Sequence, residues 1–267
     1  MSKREATIER KTAETDIKLT VVIDGEGLFD IETGLGFFDH MLCQIARHGV
    51  FDISLKAKGD LHVDAHHTVE DVGIAMGEAF AKALGDKSGI VRSGSATFPL
   101  DEALGFAAVD LGGRPYSVLN LNILGREIGG FPPDLLNHFL ESFANSMRAN
   151  FHIKSISGVN DHHKAEACFK AFAKSLRISI EIDKKTKVDL VQKLSESSGH
   201  QGIAGGQYLD LSFENKKITK KKIVEMQIKK TGKLFSFCCM VPAIIKKKDI
   251  KKSIFFQLIF LLLLKFL

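Results

Sequence analysis

The segment Phe37–Asp71, FFDHMLCQIARHGVFDISLKAKGDLHVDAHHTVED, has a counterpart in Leu135–Ala167, LLNHFLESFANSMRANFHIKSISGVNDHHKAEA. In both segments a histidine opens a helical stretch, a short β-rich run follows, and a His-His-x-x-Glu motif comes last. The first histidine precedes this motif by 26 residues in one copy and by 24 in the other. The chain therefore contains an internal repeat, from which the fold and the candidate site can both be predicted.

The spacing of apolar residues predicts similar elements in the two copies. Alternating or β-branched runs predict strands, and apolar residues at helical spacing predict helices. The predicted strands are Leu19–Ile23, Phe51–Lys56, Ala96–Asp110, Tyr116–Ile123 and Phe151–Ile156. The predicted helices are Phe37–Ala46, Glu70–Leu84, Leu135–Met147 and Glu166–Leu176. Helices packed on a mostly antiparallel sheet, in a unit that occurs twice, indicate an α+β fold.

The composition is typical of a globular protein, since 45% of the 267 residues are hydrophobic and 26% are charged. The four cysteines form no CxxC pair, so we expect reduced thiols and a cytoplasmic location. The N-terminal sequence MSKREATIERK has no apolar run, and no signal peptide is expected.

The net charge of +5 is distributed unevenly along the chain. Residues 213–267 contain 14 lysines and three acidic residues, which gives +11, so residues 1–212 carry −6. Because the positive charge is confined to one lysine-rich tail, no nucleic-acid partner is expected. The apolar run Ile254–Leu267 is 14 residues long, short of the ~20 that span a bilayer as a helix. No membrane partner is expected either.

The two His-His-x-x-Glu motifs predict metal ligands. Residues four apart share one face of a helix, so the first histidine and the glutamate of each motif can bind one ion together. The second histidine, His67 or His163, points about 100° away and is expected to serve a different ion. Symmetry between the copies then gives two ligand sets: His66, Glu70, His138 and His163 in one, and His40, His67, His162 and Glu166 in the other.

Three imidazoles and one carboxylate leave open positions on a six-coordinate ion. Such a set favours Mn²⁺ or Fe²⁺ in a catalytic site over a closed tetrahedral zinc site. The HExxH pattern of metalloproteases is absent, so peptide hydrolysis by that route is not supported. The alternative, that the histidines cluster by chance or pair in a core, accounts for one motif more easily than for two matched copies.

The same residues carry a family resemblance. The runs GLGFFDHMLCQIARHGVFD, DAHHTVEDVGIAMGEAF, VDLGGRPY and NDHHKAEACFKAFAKSLR resemble imidazoleglycerol-phosphate dehydratases, in matching order and spacing, over about residues 4–183. The resemblance implies a duplicated α+β unit, a homo-oligomer of 24 subunits, and sites with two Mn²⁺ ions completed between subunits. It also implies the reaction, the dehydration of imidazole glycerol phosphate to imidazole acetol phosphate in histidine biosynthesis.

The resemblance assigns roles to individual residues. Glu14 would be the acid/base, and the residues of the two motifs would act in catalysis through the metals: His66, His67, Glu70, His162, His163 and Glu166. The substrate site would be lined by Glu14, His40, Gln44 and His48. Its phosphate would be held by Arg92, Arg114 and Lys170, because guanidinium groups match phosphate oxygens well.

The resemblance ends near Asp183. Family members continue into an Ile-Pro-Ser-Thr-Lys-Gly-like ending whose Ser and Lys complete the phosphate pocket, whereas this chain has Gln192 and Leu194 near those positions. Thr186-Lys187 is a weak substitute. We therefore predict a dehydratase-like domain at 1–183 and a different segment at 184–267. A metal-binding oligomer with impaired catalysis is an alternative function.

Residues 188–245 resemble a second family. The runs LVQKLSESSGHQGIAGGQYLDLSFENKKIT and IVEMQIKKTGKLFSFC are similar to the middle of a trans-polyprenyl (geranyl or farnesyl) diphosphate synthase. Neither of that family's DDxxD magnesium motifs is present, so the diphosphate could not be activated for prenyl transfer. The sequence predicts an incomplete helical fragment here, with prenyl transfer as the weakest functional alternative.

Overall fold

The structure is a computed structural model that describes residues 4–245. The chain divides into two compact units between Glu181 and Ile182. Within the described part of the chain, no helix has both the length and the apolar character that crossing a membrane requires. The apolar run Ile254–Leu267 lies outside the described residues.

The two copies of the repeat have the same element order. The first copy comprises β1 (Glu5–Lys11), β2 (Thr15–Val22), β3 (Phe29–Glu32), α1 (Gly36–Gly49), β4 (Asp52–Gly59) and α2 (His66–Leu84). The second comprises β5 (Ser93–Leu100), β6 (Ala103–Asp110), β7 (Tyr116–Asn120), α3 (Asp134–Met147), β8 (Asn150–Ser157) and α4 (Asp161–Ile180).

Each copy forms one four-stranded sheet. The strand orders are β1-β2-β4-β3 and β5-β6-β8-β7, so the second sheet repeats the topology of the first. Strand pairs are antiparallel except β3–β4 and β7–β8, which are parallel. The predicted α+β fold with a duplicated unit is confirmed.

The core lies between the helices and the sheets. Ile17, Leu19 and Val21 of β2 are buried and alternate with more exposed residues, as a strand with one packed face requires. Helix α2 packs on β1 and β2, and α4 packs on β5 and β6. The largest fully buried side chains are phenylalanines: Phe38, Phe51, Phe80, Phe139, Phe143, Phe151, Phe169 and Phe172.

The helices pair between copies, α2 with α3 and α1 with α4. Two glycines on one face of α2 allow α3 to come close. A Cβ atom on Gly73 would lie 2.7 Å from the carbonyl oxygen of Phe139, and one on Gly77 would lie 2.7 Å from that of Phe143. Since contacts this short essentially do not occur, the glycines set the separation of α2 and α3.

The structure differs from the sequence prediction at several boundaries. The predicted strand Ala96–Asp110 is a hairpin, because Asp101 takes the left-handed conformation (φ 48°) and turns the chain. Strands β1 and β3 were not predicted. Helices α2 and α4 begin four and five residues before the predicted starts at Glu70 and Glu166, so each His-His-x-x-Glu motif lies within the first turns of its helix.

The second unit is helical, as predicted for the C-terminal part. It comprises α5 (Lys184–Ser198), α6 (Ile203–Phe213), α7 (Lys220–Gln227), a π-helical turn (Ile228–Gly232) and α8 (Lys233–Ile245). Several of its large apolar side chains are exposed: Val188, Val191, Leu194, Tyr208, Leu211 and Phe235. The resemblance of this segment to polyprenyl diphosphate synthases stays a prediction.

Candidate metal centre

Three side chains at the N-terminal end of α2 and on α3 form one cluster, which we call the first half-site: His66, Glu70 and His138. The Oε2 atom of Glu70 lies 3.9 Å from Nε2 of His66 and 3.8 Å from Nε2 of His138. The two imidazole rings stack with their centroids 4.3 Å apart. All three ligand atoms therefore face one small volume.

A matching cluster, the second half-site, joins α1 and α4: His40, His162 and Glu166. The Oε2 atom of Glu166 lies 3.2 Å from Nε2 of His40 and 3.2 Å from Nε2 of His162. Burial raises the pKa of Glu166, but hydrogen bonds from Lys170 and His40 outweigh it and lower the pKa to about 2. The carboxylate is therefore charged at neutral pH.

Each half-site takes ligands from both copies of the repeat. The histidine and glutamate of one motif, four residues apart on α2 or α4, meet the histidine of the helix that packs alongside it. The structure thus brings together three members of each predicted ligand set. The fourth members, His163 of the first set and His67 of the second, belong to neither cluster.

His67 and His163 instead contact carboxylates through their Nδ1 atoms. Nδ1 of His67 lies 3.0 Å from Oδ2 of Asp60, and Nδ1 of His163 lies 2.9 Å from Oε2 of Glu102. These hydrogen bonds raise the pKa of both histidines. The sequence did not point to Asp60 or Glu102. They lie 7 and 61 residues from their histidines, so no local spacing marks the pairs.

Three of the four residues predicted to line the substrate site, His40, Gln44 and His48, lie in or near the second half-site. On α1, Gln44 and His48 follow His40 at intervals of four residues, and the Gln44 side chain donates to the His40 carbonyl oxygen at 3.3 Å. The His48 ring packs edge-on against Phe98 with centroids 5.0 Å apart. Burial, together with nearby cations, lowers the pKa of His48, which favours its neutral form.

Lys170 belongs to the same group. Its Nζ lies 2.7 Å from Oε1 of Glu166 and 5.4 Å from the centroid of the Phe98 ring, and its side chain is 11% exposed. The ammonium group is therefore held beside the second half-site. An anionic substrate group placed there would find a buried positive charge.

The predicted phosphate ligands Arg92 and Arg114 lie elsewhere on the second copy. Arg92 has a left-handed backbone (φ 78°), and its guanidinium forms two hydrogen bonds to Asp110, at 2.8 and 3.0 Å. Arg114 is exposed and helps to lower the pKa of Asp110, although Arg92 contributes more. Among the described residues, neither arginine contacts a member of either half-site.

Glu14 lies exposed in the turn between β1 and β2. The turn is anchored to α2, because Asp71 accepts hydrogen bonds from Thr15 and from Arg10, the latter at 2.8 Å. The Glu14 carboxylate is close enough to contribute to the raised pKa of His67, after the larger effect of the Asp60 hydrogen bond. The anchored turn thus places Glu14 near the motif of α2.

The residues fit a divalent ion. An ion about 2.1 Å from each of its ligands separates those ligands by roughly 3–4 Å, which the distances in both half-sites match. Nε2 of His138 is also buried and has no hydrogen-bond partner among the residues that the structure describes. A buried polar atom without a partner is costly, and a metal ion bound there would satisfy it.

The chain is similar to proteins of one known family. The family model of imidazoleglycerol-phosphate dehydratase matches residues 33–176. The chain is 52% identical over 183 residues to the imidazoleglycerol-phosphate dehydratase of Alcanivorax borkumensis, covering 68% of this chain and 90% of that protein. It is 54% identical over 180 residues to the enzyme of Cereibacter sphaeroides, covering 67% and 92%.

Two solved structures share the fold. The imidazoleglycerol-phosphate dehydratase of Staphylococcus aureus superposes with a TM-score of 0.61 at 32% identity, over 67% of this chain and 99% of that one. The enzyme of Pyrococcus furiosus, solved with (S)-C348, gives 0.59 at 36% identity, over 66% and 95%. The chain therefore belongs to the imidazoleglycerol-phosphate dehydratase family, whose members are hydro-lyases.

Proposed function

We propose that this chain dehydrates D-erythro-imidazole glycerol phosphate to imidazole acetol phosphate in histidine biosynthesis, in the cytoplasm. The observation that carries the proposal is the pair of matched half-sites, each with two imidazoles and one carboxylate around one small volume, in a chain of the dehydratase family. Residues 1–183 form the catalytic domain, and residues 184–267 are an added segment.

The half-sites are the proposed ligands of two Mn²⁺ ions per active site. His66, Glu70 and His138 hold one ion, and the second half-site holds the other. Their mixed nitrogen and oxygen donors, with open positions left for substrate, suit Mn²⁺ better than a closed zinc site. When bound, the metals would act as Lewis acids that favour the imidazolate form of the substrate's ring.

The reaction removes a proton and a hydroxyl group from adjacent carbon atoms. The hydroxyl group leaves the carbon next to the imidazole ring, and the proton leaves the neighbouring carbon, which keeps its own hydroxyl group. No carbonyl group stabilises negative charge at that carbon, so the electrons must be taken up through the imidazole ring. Glu14 is the proposed acid/base, because its carboxylate is exposed beside the motif of α2. Loss of the hydroxyl group as water leaves an enol, which rearranges to the ketone of the product.

Binding and orientation fall to the residues around the second half-site. Gln44 is held by its bond to the His40 carbonyl oxygen, and neutral His48 lies against Phe98. Lys170 supplies a buried positive charge for the substrate phosphate. We propose that Arg92 and Arg114 complete the phosphate site from a neighbouring copy of the chain.

A neighbouring copy is also proposed to supply the fourth metal ligands. His67 and His163 belong to neither half-site of their own chain, and both are partly exposed. Their Nε2 atoms can therefore reach a half-site of another subunit. The active assembly is then a homo-oligomer, and the family resemblance favours 24 subunits.

A second candidate function is metal binding with little catalysis. The observation that favours it is helix α5, which carries Gln192 and Leu194 near the positions of the family's Ser and Lys, with the Gln192 side chain bonded to Glu196 at 3.1 Å. A charge-assisted phosphate contact contributes about 1.5–3 kcal/mol and a neutral one about 1 kcal/mol. Their loss would raise KM by roughly 10²–10³-fold.

Steady-state turnover of imidazole glycerol phosphate with Mn²⁺ tests the proposal. We expect turnover with a raised KM, and no turnover in Mn²⁺-binding protein would favour the second candidate. Replacing residues 184–267 by Ile-Pro-Ser-Thr-Lys-Gly should lower KM, and an unchanged KM would show that the missing ending is not the limitation. Incubation with isoprenoid diphosphates should give no prenyl product.

A further inference from the structure

The two histidines outside the half-sites share one feature. Each presents Nδ1 to a carboxylate at hydrogen-bond distance: His67 to Asp60 at 3.0 Å and His163 to Glu102 at 2.9 Å. An ionised carboxylate can only accept a hydrogen bond. At neutral pH each carboxylate therefore fixes the proton of its histidine on Nδ1 and leaves the lone pair on Nε2. Nε2 of His163 lies 3.8 Å from Asp101, beyond hydrogen-bond distance.

The two carboxylates come from different elements of the repeat. Asp60 follows β4 of the first copy, whereas Glu102 lies in the β5–β6 turn of the second. A simple duplicate would carry the carboxylate on the same element in both copies. Carboxylates from two different elements nevertheless reach Nδ1 of equivalent histidines. This indicates that the histidines need an acceptor at Nδ1, and that the contact is not simply inherited from the duplication.

We propose that Asp60 and Glu102 are positioning residues that orient His67 and His163 as Nε2 ligands for the metals. The inference rests on the proposed metal-dependent function. Metal-bound histidines commonly donate their other ring N–H to a carboxylate, which fixes the tautomer and the ring orientation and makes the ligand nitrogen more basic. Neither residue touches the substrate or the metal in this proposal.

The two residues differ in what else they do. The second oxygen of Glu102, Oε1, accepts hydrogen bonds from the backbone N–H groups of Val159 and Asn160, at 3.2 and 2.8 Å. Glu102 therefore also fixes the start of α4. The other oxygen of Asp60 is buried and has no hydrogen-bond partner among the described residues. Asp60 therefore offers the cleaner test, because its bond to His67 is its main side-chain contact.

The equivalent turns of the two copies also show how Glu14 remains available. The β1–β2 turn carries Glu14, and the β5–β6 turn carries Glu102. In the second copy the turn glutamate bonds the histidine, while in the first copy Asp60 makes that bond. Glu14 is then left to transfer protons, as the proposed function requires.

The test is a Mn²⁺ titration of the metal-free full-length chain, with free Mn²⁺ measured by electron paramagnetic resonance. Asp60→Ala should weaken the binding of one of the two Mn²⁺ ions about 10–100-fold. In Asp60→Asn the amide oxygen still accepts a hydrogen bond from the Nδ1–H group, so binding of that ion should weaken less. Asp16→Asn, which removes an exposed carboxylate bonded to Lys11, is the matched control and should bind like the parent.

A double-mutant cycle separates positioning from stability. If Asp60 acts through His67, the variant Asp60→Ala/His67→Ala should bind no more weakly than His67→Ala alone. The inference would be overturned if the losses of Mn²⁺ affinity of the two single variants added in the double variant. It would also be overturned if Asp60→Ala lowered the thermal midpoint and left Mn²⁺ affinity unchanged. Should Asp60→Ala not fold, the cycle with Asp60→Asn is read in the same way. A parent chain that binds no Mn²⁺ would overturn the proposed function as well.

Discussion

The close approach of α2 and α3 at Gly73 leads to our most specific prediction: Gly73→Ala weakens metal binding at the first half-site only. Gly73 follows Glu70 by three residues, and the backbone atom that its new Cβ would strike belongs to Phe139, the neighbour of His138. The Cβ–O distance of 2.7 Å must grow to about 3.4 Å, the start of ordinary contact. Metal–ligand distances tolerate only about 0.2 Å, so a displacement of about 0.7 Å disrupts coordination.

The cost in stability should be small enough to leave the protein folded. Overpacking in a core costs about 1–3 kcal/mol, and replacing a helical glycine by alanine returns about 1 kcal/mol. The net loss is at most about 2 kcal/mol, which lowers the thermal midpoint of a unit this size by no more than about 8 °C. Metal binding can therefore be measured on folded protein at 25 °C.

The assay is a Mn²⁺ titration of metal-free protein by calorimetry. The parent should bind two ions per chain, and Gly73→Ala should keep one at parental affinity and bind the other at least about tenfold more weakly. Gly36→Ala is the matched control, since a Cβ there meets nothing within 4 Å although Gly36 is four residues from His40 of the second half-site. Parental affinity for both ions in Gly73→Ala, or equal weakening of both, would refute the reasoning.

Three further predictions concern the ligand sets, the assembly and the response to pH. His66→Ala and His163→Ala should each remove the same one of the two ions by metal analysis, and loss of different ions would show that the predicted ligand set is wrong. A chelator should lower the mass measured by light scattering, because shared ions join subunits, and an unchanged mass would contradict shared sites. Because the folded-state pKa of His48 lies below its ordinary value of 6.5, the unfolded chain binds more protons as the pH falls below that value. Stability should therefore decline with acidification from about pH 6.5, and urea titrations of His48→Gln at pH 7 and pH 5 should show a smaller decline.

The element types and the internal repeat could be predicted because their signals are local. Helical spacing places His66 and Glu70 on one face, and the second copy repeats the pattern with His162 and Glu166. The symmetry of the repeat also pairs each motif with the opening histidine of the other copy, and the structure brings those residues together. Symmetry within one chain does not show whether His67 and His163 bind a metal of another copy, because that depends on assembly.

The sequence signal failed where geometry depends on a single backbone angle or on distant contacts. Asp101 turns the chain within a run that otherwise alternates like one strand, so the hairpin β5–β6 was not anticipated. The left-handed conformation of Arg92 and its pairing with Asp110 also have no sequence pattern. Asp60 and Glu102 reach equivalent histidines from unrelated elements, and only the folded chain shows that correspondence.

The crossed origin of the half-sites bears on how such a protein can arise. Since α2 meets α3 and α1 meets α4, one copy of the repeat on its own has no complete half-site. An ancestor of half the length would have formed both clusters only as a dimer, with an occupancy that depended on protein concentration. Joining the copies in one chain makes the encounter intramolecular, at an effective concentration that can reach about the millimolar range. Fusion also frees the two halves to diverge, so that one turn can keep a structural glutamate while its counterpart acquires a chemical role.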